Sequence, residues 1–336
     1  MDSHRITTAG ISAEVSAKGA ELVSLRDAAG NEMLWQAGPE WPRHAPVLFP
    51  TVGKLRNDTL RHDGKTYVLG QHGFARDSEF EWTERSTKRA ALRLCDSTKT
   101  RRSFPFAFRL ELIYAVADDV FTVTTRVTNP GDGRLPSGVG AHPAFRWPLV
   151  KGISKDDHVV IFETPETGKA KSVVDGLLGV DKPLPFDGCK LKLSERLFAN
   201  DALVMPDVAS RKVTFSALNP AGEPACSLSV AWDGFKDLGL WSKPVGAPFL
   251  CIEPWYGMAS DVDWDGEFLE KPGILVLGAG ETRDFQWSVR FESAPIFGPE
   301  NQASYSSAST RPNRAALGDG REAFAESPKA SIWRDR

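Results

Sequence analysis

No run of about 18 apolar residues occurs in the chain, which leaves no candidate for a membrane-spanning helix. The opening residues, MDSHRITTAGISAEV, lack the apolar centre of a secretory leader, so export is not expected. Cysteine is equally scarce. Cys95, Cys189, Cys226 and Cys251 stand singly among 336 residues, without a C-x-x-C pair. That spacing excludes a disulfide framework and fits reduced thiols, hence a cytoplasmic setting. No charge of one sign dominates. A net charge of −3, with basic residues clustered only at Arg101-Arg102 and in 85–93, supplies no field to hold nucleic acid or an anionic membrane. Long stretches of helical periodicity are few as well, and no strand–helix–strand rhythm appears.

What is present is alternation with period two. In FTVTTRVT, Phe121, Val123, Thr125 and Val127 fall on one face, and RLELIYAV alternates through Leu110, Leu112, Tyr114 and Val116. Ala117-Asp118-Asp119 between them is polar enough to turn, so the pair reads as a β-hairpin. KTYVLG, RAALRL, RKVTFSAL, CSLSVAW, PFLCIEPW and DFQWSVRF read as further strands between Gly, Pro, Asn and Asp clusters. Hydrophobic residues at 41% allow a sizeable core, while 29 glycines and 23 prolines suit many turns. The expected class is all-β, a large antiparallel sandwich with helix confined to short pieces. From Gly298 the composition turns small and polar, which divides the chain into a β-domain over 1–297 and a tail over 298–336. Within the tail AALGDGREAFAE has some helical character.

The chemistry concentrates at three places. FLCIEPWYG carries Glu253 among apolar neighbours and ahead of Pro254, which disfavours the helical region for Glu253 and cannot donate to a ladder. The strand is therefore expected to end there, with Phe249, Cys251 and Glu253 on one face. A carboxylate beside Trp255 and Tyr256 is partly desolvated, which raises its pKa toward the range of a general base, although a Glu–Arg pair at a sheet edge is the plainer reading. His72 in GQHGFARD and His142 in GVGAHPAFRWP each precede Gly or Pro and lie near an aromatic. Histidine exchanges protons near neutrality, but a histidine beside an aromatic is more often structural. Neither has an H-x-x-x-H or H-E-x-x-H partner, so no metal is expected. His4, His44, His62 and His158 read as surface or packing residues.

In order along the chain, GAELVSLRD (19–27), NEMLWQ (31–36), APVLFPTVGKLRND (45–58), QHGFARD (71–77), GAHPAF (140–145), NDALV (200–204) and IEPWYG (252–257) resemble the aldose 1-epimerase, or galactose mutarotase-like, family over about residues 5–292. The resemblance implies a β-supersandwich of mostly antiparallel strands with a sugar site on a concave sheet face. It also implies interconversion of sugar anomers: Glu253 takes the proton of the anomeric hydroxyl, His142 protonates the ring oxygen, and His72 assists there. Arg56 and, less closely, Asp201 match the family's sugar-binding positions, and Arg76 lies near His72. The arginine motif is shortened to VGKLRND where galactose enzymes carry a longer arginine-and-asparagine pattern, so the resemblance does not carry a galactose preference with it. Trp255, Phe74 and Phe145 offer an apolar wall against a sugar's C–H face. One carboxylate and one imidazole suffice for such proton transfers, so no cofactor is implied. The expected partner is a small sugar, an aldohexose or, through Lys54, Arg56, Arg76 and Lys243, its 6-phosphate. The same scaffold could serve as a non-catalytic sugar-binding module, whereas a retaining glycosidase needs a second, close carboxylate. The assembly is expected to be a monomer or homodimer.

Overall fold

The alternating segments are strands in the computed structural model, which describes residues 2–186, 188–243 and 246–293. Arg109–Ala117 and Val120–Thr128 form the expected hairpin, closed at Asp118-Asp119 with Asp118 at φ 51°. Its register places Phe121 opposite Val116, Val123 opposite Tyr114, Thr125 opposite Leu112 and Val127 opposite Leu110, all of them buried. Burying each large apolar side chain stabilises the fold by about 1.5–3 kcal/mol. A slip of one residue would turn the whole set to solvent, so this face fixes the pairing.

The hairpin sits in a nine-stranded sheet ordered Lys190–Lys192, His158–Phe162, Lys212–Leu218, Pro224–Asp233, Thr282–Ser293, Val120–Thr128, Arg109–Ala117, Arg89–Cys95 and Glu81–Arg85. Every neighbouring pair in it is antiparallel. A second, eight-stranded sheet places Phe249–Tyr256 between Asp237–Trp241 on one side and Val139–Ala141 and Ala144–Arg146 on the other. Phe121 and Val123 of the first sheet share one apolar cluster with Leu238, Leu240, Leu250 and Ile252 of the second. The core therefore lies between the sheets, and the fold is all-β as the alternation implies. Helical turns among the described residues are 3₁₀ pieces of three or four residues. The expected tail, 298–336, with its helical segment, lies outside the described residues.

Two expectations change at Phe249–Tyr256. Pro254 does not end the strand, which continues through Trp255 and Tyr256. The even-numbered backbone of this strand faces Val139–Arg146, as Ile252 N–H donating to the Pro143 carbonyl at 3.3 Å shows. On that side the ladder pairs Gly140 with Trp255 and Ala144 with Cys251 and lapses between them, so Pro254 falls where no rung is formed. Glu253 consequently lies inside the strand and not at its end. The alternation itself is as expected. Leu250 and Ile252 enter the inter-sheet core, while Phe249 and Cys251 pack with Trp35, Trp41 and Trp241 on the opposite face. Both faces are apolar, which is why the strand reads as a continuous buried run.

Candidate active site

On that opposite face, strand positions converge on a cavity of about 410 Å³, within the range of about 300–1,000 Å³ typical of small-ligand sites. Glu253 projects into it and is 1% exposed. His142 occupies the interruption in the neighbouring strand and is 7% exposed, with its Nε2 3.2 Å from Glu253 Oε2. Two X-Pro dipeptides, Glu253-Pro254 and His142-Pro143, thus face each other across one break in the ladder. The break frees the side chains to meet, and the prolines hold the backbone extended. His142 is clamped by aromatics: Trp41 stacks on it at 4.9 Å and 26°, and Trp241 meets it edge-on at 5.8 Å and 83°.

His72 arrives from a tight turn. It adopts φ 64° and is followed by Gly73 at φ 69°. A Cβ at residue 73 would strike the Phe49 carbonyl, so the turn requires glycine there. The His72 Nδ1 accepts the Gly53 N–H at 3.1 Å, which leaves the proton of the neutral ring on Nε2. Its ring meets that of His142 edge-on at 5.7 Å. Trp255 lies flat over Gly239, where any side chain would collide with the indole.

The electrostatics follow from burial. Desolvation pushes the Glu253 carboxyl well above its usual range, and the charge of Asp201 adds to this. The Trp255 indole opposes the shift, but its N–H has no partner at hydrogen-bond geometry, so its pull is weak. Burial also drives His142 down to about 3, with Arg76 and Arg43 adding their repulsion. His72 falls well below 6.5 for the same reason, with His142, Arg76 and Arg43 contributing. The Glu253–His142 pair therefore rests as carboxylic acid and neutral imidazole, with the carboxyl proton on Glu253. His142 Nδ1 and Glu253 Oε2 are buried without a hydrogen-bond partner. Unpaired buried polar atoms are costly in a fold, so their presence at a cavity wall marks a place for ligand atoms.

Residues 2–271 match the family model described as aldose 1-epimerase. The chain belongs to the aldose 1-epimerase family. Among relatives, the chromosomal protein LacX of Lactococcus lactis is 33% identical over 268 residues, covering 76% of this chain and 88% of that one. The galactose mutarotase related enzyme of Lactobacillus acidophilus superposes with a TM-score of 0.78 at 32% identity, covering 87% of this chain and 98% of its own. A galactose mutarotase-like protein from Lactobacillus casei gives 0.79 at 28% identity, with 87% and 100% coverage.

In this aldose 1-epimerase family member, Glu253, His142, His72, Asp201, Arg76 and Trp255 all line the one cavity. Asp201, at φ 80°, anchors its turn by accepting the Ala202 N–H at 2.7 Å. Arg76 donates Nη2 to the Gln71 carbonyl at 2.8 Å, while its buried Nε has no hydrogen-bond partner. Arg56 stands apart. Leu55 buries its side chain, and Asn57 and Asp58 then take left-handed φ of 53° and 51°, so the turn Arg56–Asp58 leaves Arg56 exposed and outside the cavity lining. Phe74 and Phe145 also depart from expectation. Both pack into the inter-sheet core, Phe145 because its strand position matches Leu250 and not Cys251. The aromatic wall is instead Trp41 and Trp241 with Trp255. The chain's other four histidines play packing or surface parts: His158 accepts the Leu149 N–H at 3.1 Å, and His4 meets the Ser86 carbonyl at 2.8 Å; His62 lies against Phe106, and His44 beside Glu21.

Sequence reading also missed the support behind the wall formed by Met258 and Ala259. Lys271 is 4% exposed and donates to the Met258 carbonyl at 2.7 Å, and Asp237 accepts the Gly257 N–H at 3.1 Å. Burial brings the Lys271 pKa down from 10.5 to about 8. Between these values the unfolded chain binds a proton that the folded chain has released, so stability rises with pH across that window. Wild type should gain up to about 3 kcal/mol relative to Lys271→Met between pH 8 and 10.5, read from urea unfolding at several pH values. Parallel pH profiles for the two proteins would show that the ammonium is solvated in the fold.

Proposed function

We propose that the protein is an aldose 1-epimerase that opens and recloses the ring of a neutral aldohexose, with Glu253 as base and His142 as acid. The observation that carries this reading is the pair of unpartnered, buried atoms Glu253 Oε2 and His142 Nδ1 on a sugar-sized cavity. The Glu253 carboxyl proton passes to His142 across their 3.2 Å contact, which readies both groups at once. Glu253 then takes the proton of the anomeric hydroxyl as the C1–O bond to the ring oxygen breaks, and His142 delivers a proton to that oxygen. The aldehyde turns about C1–C2, the ring hydroxyl attacks its other face, and both protons return. Nothing is consumed, so the pair regenerates itself. His72 Nε2–H is a further donor on the same wall.

A neutral sugar fits better than its 6-phosphate. Of the four cations that a phosphate would draw on, Arg76 alone lines the cavity; Lys54 and Arg56 do not, and Lys243 donates to the Glu40 carbonyl at 2.7 Å. Asp201 adds a negative charge to the same lining. Polarimetry on fresh α-glucose and α-galactose should show mutarotation faster than in buffer, with poorer kcat/KM for the corresponding 6-phosphates. Equal efficiency on the phosphates would remove the charge argument. Calorimetric binding of these sugars without any acceleration would assign the protein to sugar binding and not to catalysis.

A further inference from the structure

Cys251 precedes Glu253 by two residues and shares its face of the strand, so thiol, carboxylate and the His142 imidazole come together at one point. Ligand atoms of all three lie within 4.8 Å of one another, and all three residues are buried. Glu253 Oε2, the carboxylate atom that lies 3.2 Å from His142 Nε2, has no hydrogen-bond partner. We propose that this trio is a zinc site whose occupation blocks the proton-transfer pair, giving the protein a reversible inhibition by Zn²⁺.

The donor set is chemically selective. One thiolate, one imidazole and one carboxylate suit zinc, whereas Mg²⁺ and Ca²⁺ require oxygen ligands. Bond lengths of about 2.0–2.3 Å place tetrahedral ligands about 3.3–3.7 Å apart. The His142–Glu253 contact, at 3.2 Å, already has nearly that spacing. The widest separation in the trio has to close by about 1 Å. Because His142 and Glu253 line the cavity, the ion has a route in, and its fourth position faces water or a sugar oxygen. Binding displaces the Cys251 thiol proton and the Glu253 carboxyl proton, so two protons leave for each ion taken up and affinity increases with pH. The metal then holds the lone pairs that would receive the anomeric proton. Metal capture stands on geometry alone; the inhibition rests on the proposed epimerase activity.

Titration of the full chain with Co²⁺ in place of Zn²⁺ reads the site without any activity assay. A chain carrying Ser at positions 95, 189 and 226, with Cys251 as its one thiol, should bind one Co²⁺ with a thiolate-to-cobalt charge-transfer band that Zn²⁺ displaces. The band should vanish in Cys251→Ala and in His142→Asn. In the activity assay, Zn²⁺ should inhibit wild type and Mg²⁺ should not, and Cys251→Ala should need about 100-fold more zinc or beyond, as loss of a direct ligand exceeds loss of a supporting one. A single-thiol chain that folds but shows no thiolate–cobalt band overturns the proposal. So does equal zinc sensitivity of wild type and Cys251→Ala. A positive band on a chain inactive toward all sugars would leave the metal site standing and remove the epimerase reading.

Discussion

Glu253→Gln will slow anomer exchange by about 10²–10⁴-fold, the range of a single general base, while the protein becomes more resistant to unfolding near neutral pH. Glutamine keeps the shape of the side chain and removes only its ability to take a proton. The stability effect follows from burial. The Glu253 carboxyl titrates well above 4.5 in the fold, so the folded chain holds a proton that the unfolded chain has lost. Its contribution is complete below pH 4.5 and is lost as pH rises through the raised value, a decline that the glutamine variant does not suffer. Thermal unfolding of both proteins from pH 4 to 8, beside their exchange rates, reads both halves. A variant that is both slower and less stable at pH 7 would point to a structural role for the carboxylate.

His142→Asn should reduce turnover by a comparable factor, but with the opposite dependence of stability on pH. Here the folded chain binds fewer protons between about 3 and 6.5, so wild type gains stability as pH rises across that interval. The interval corresponds to at most about 5 kcal/mol, and asparagine should abolish the gain. The loss of stacking on Trp41 lowers the stability of the variant at every pH and does not change that slope. Urea denaturation of both proteins at pH 4 and pH 7 measures the difference. In the proposed mechanism the working form carries one proton on the pair, so kcat/KM should be flat from near pH 4 upward and fall only when the raised Glu253 carboxyl ionises. An ordinary histidine limb near pH 6.5 would show that His142 is solvated when the protein works.

The strands were legible because their alternation is local. Phe121, Val123, Thr125 and Val127 declare a face through spacing alone, and the hairpin turn between Ala117 and Val120 needs only polar residues. Glu253 and His142 were legible through their X-Pro contexts and the family motifs around them. What lay beyond reach depends on pairing across the sheet. Pro254 reads as a strand end until the neighbouring strand is seen to lapse from the ladder between Gly140 and Ala144, because only that pairing reveals that no rung is formed at Pro254 on that side. Arg56 reads as part of a binding motif, yet two left-handed residues after it leave its side chain in solvent. Trp41 lies in the loop ahead of the short strand Val47–Leu48, with no periodicity to assign it a face, and its stacking on His142 is a tertiary event. Lys271 looks like a surface lysine in sequence, and only burial against the Met258 carbonyl makes it a support of the cavity wall.

The central claim is that Glu253 and His142 pass protons to and from two oxygens of one bound sugar. Magnetisation transfer between the α and β anomeric protons of glucose and galactose, recorded with wild type and with Glu253→Gln at equal concentration, tests it most directly. The account predicts strong transfer in the first sample and a return to the buffer rate in the second. Equal transfer in the two samples would contradict it.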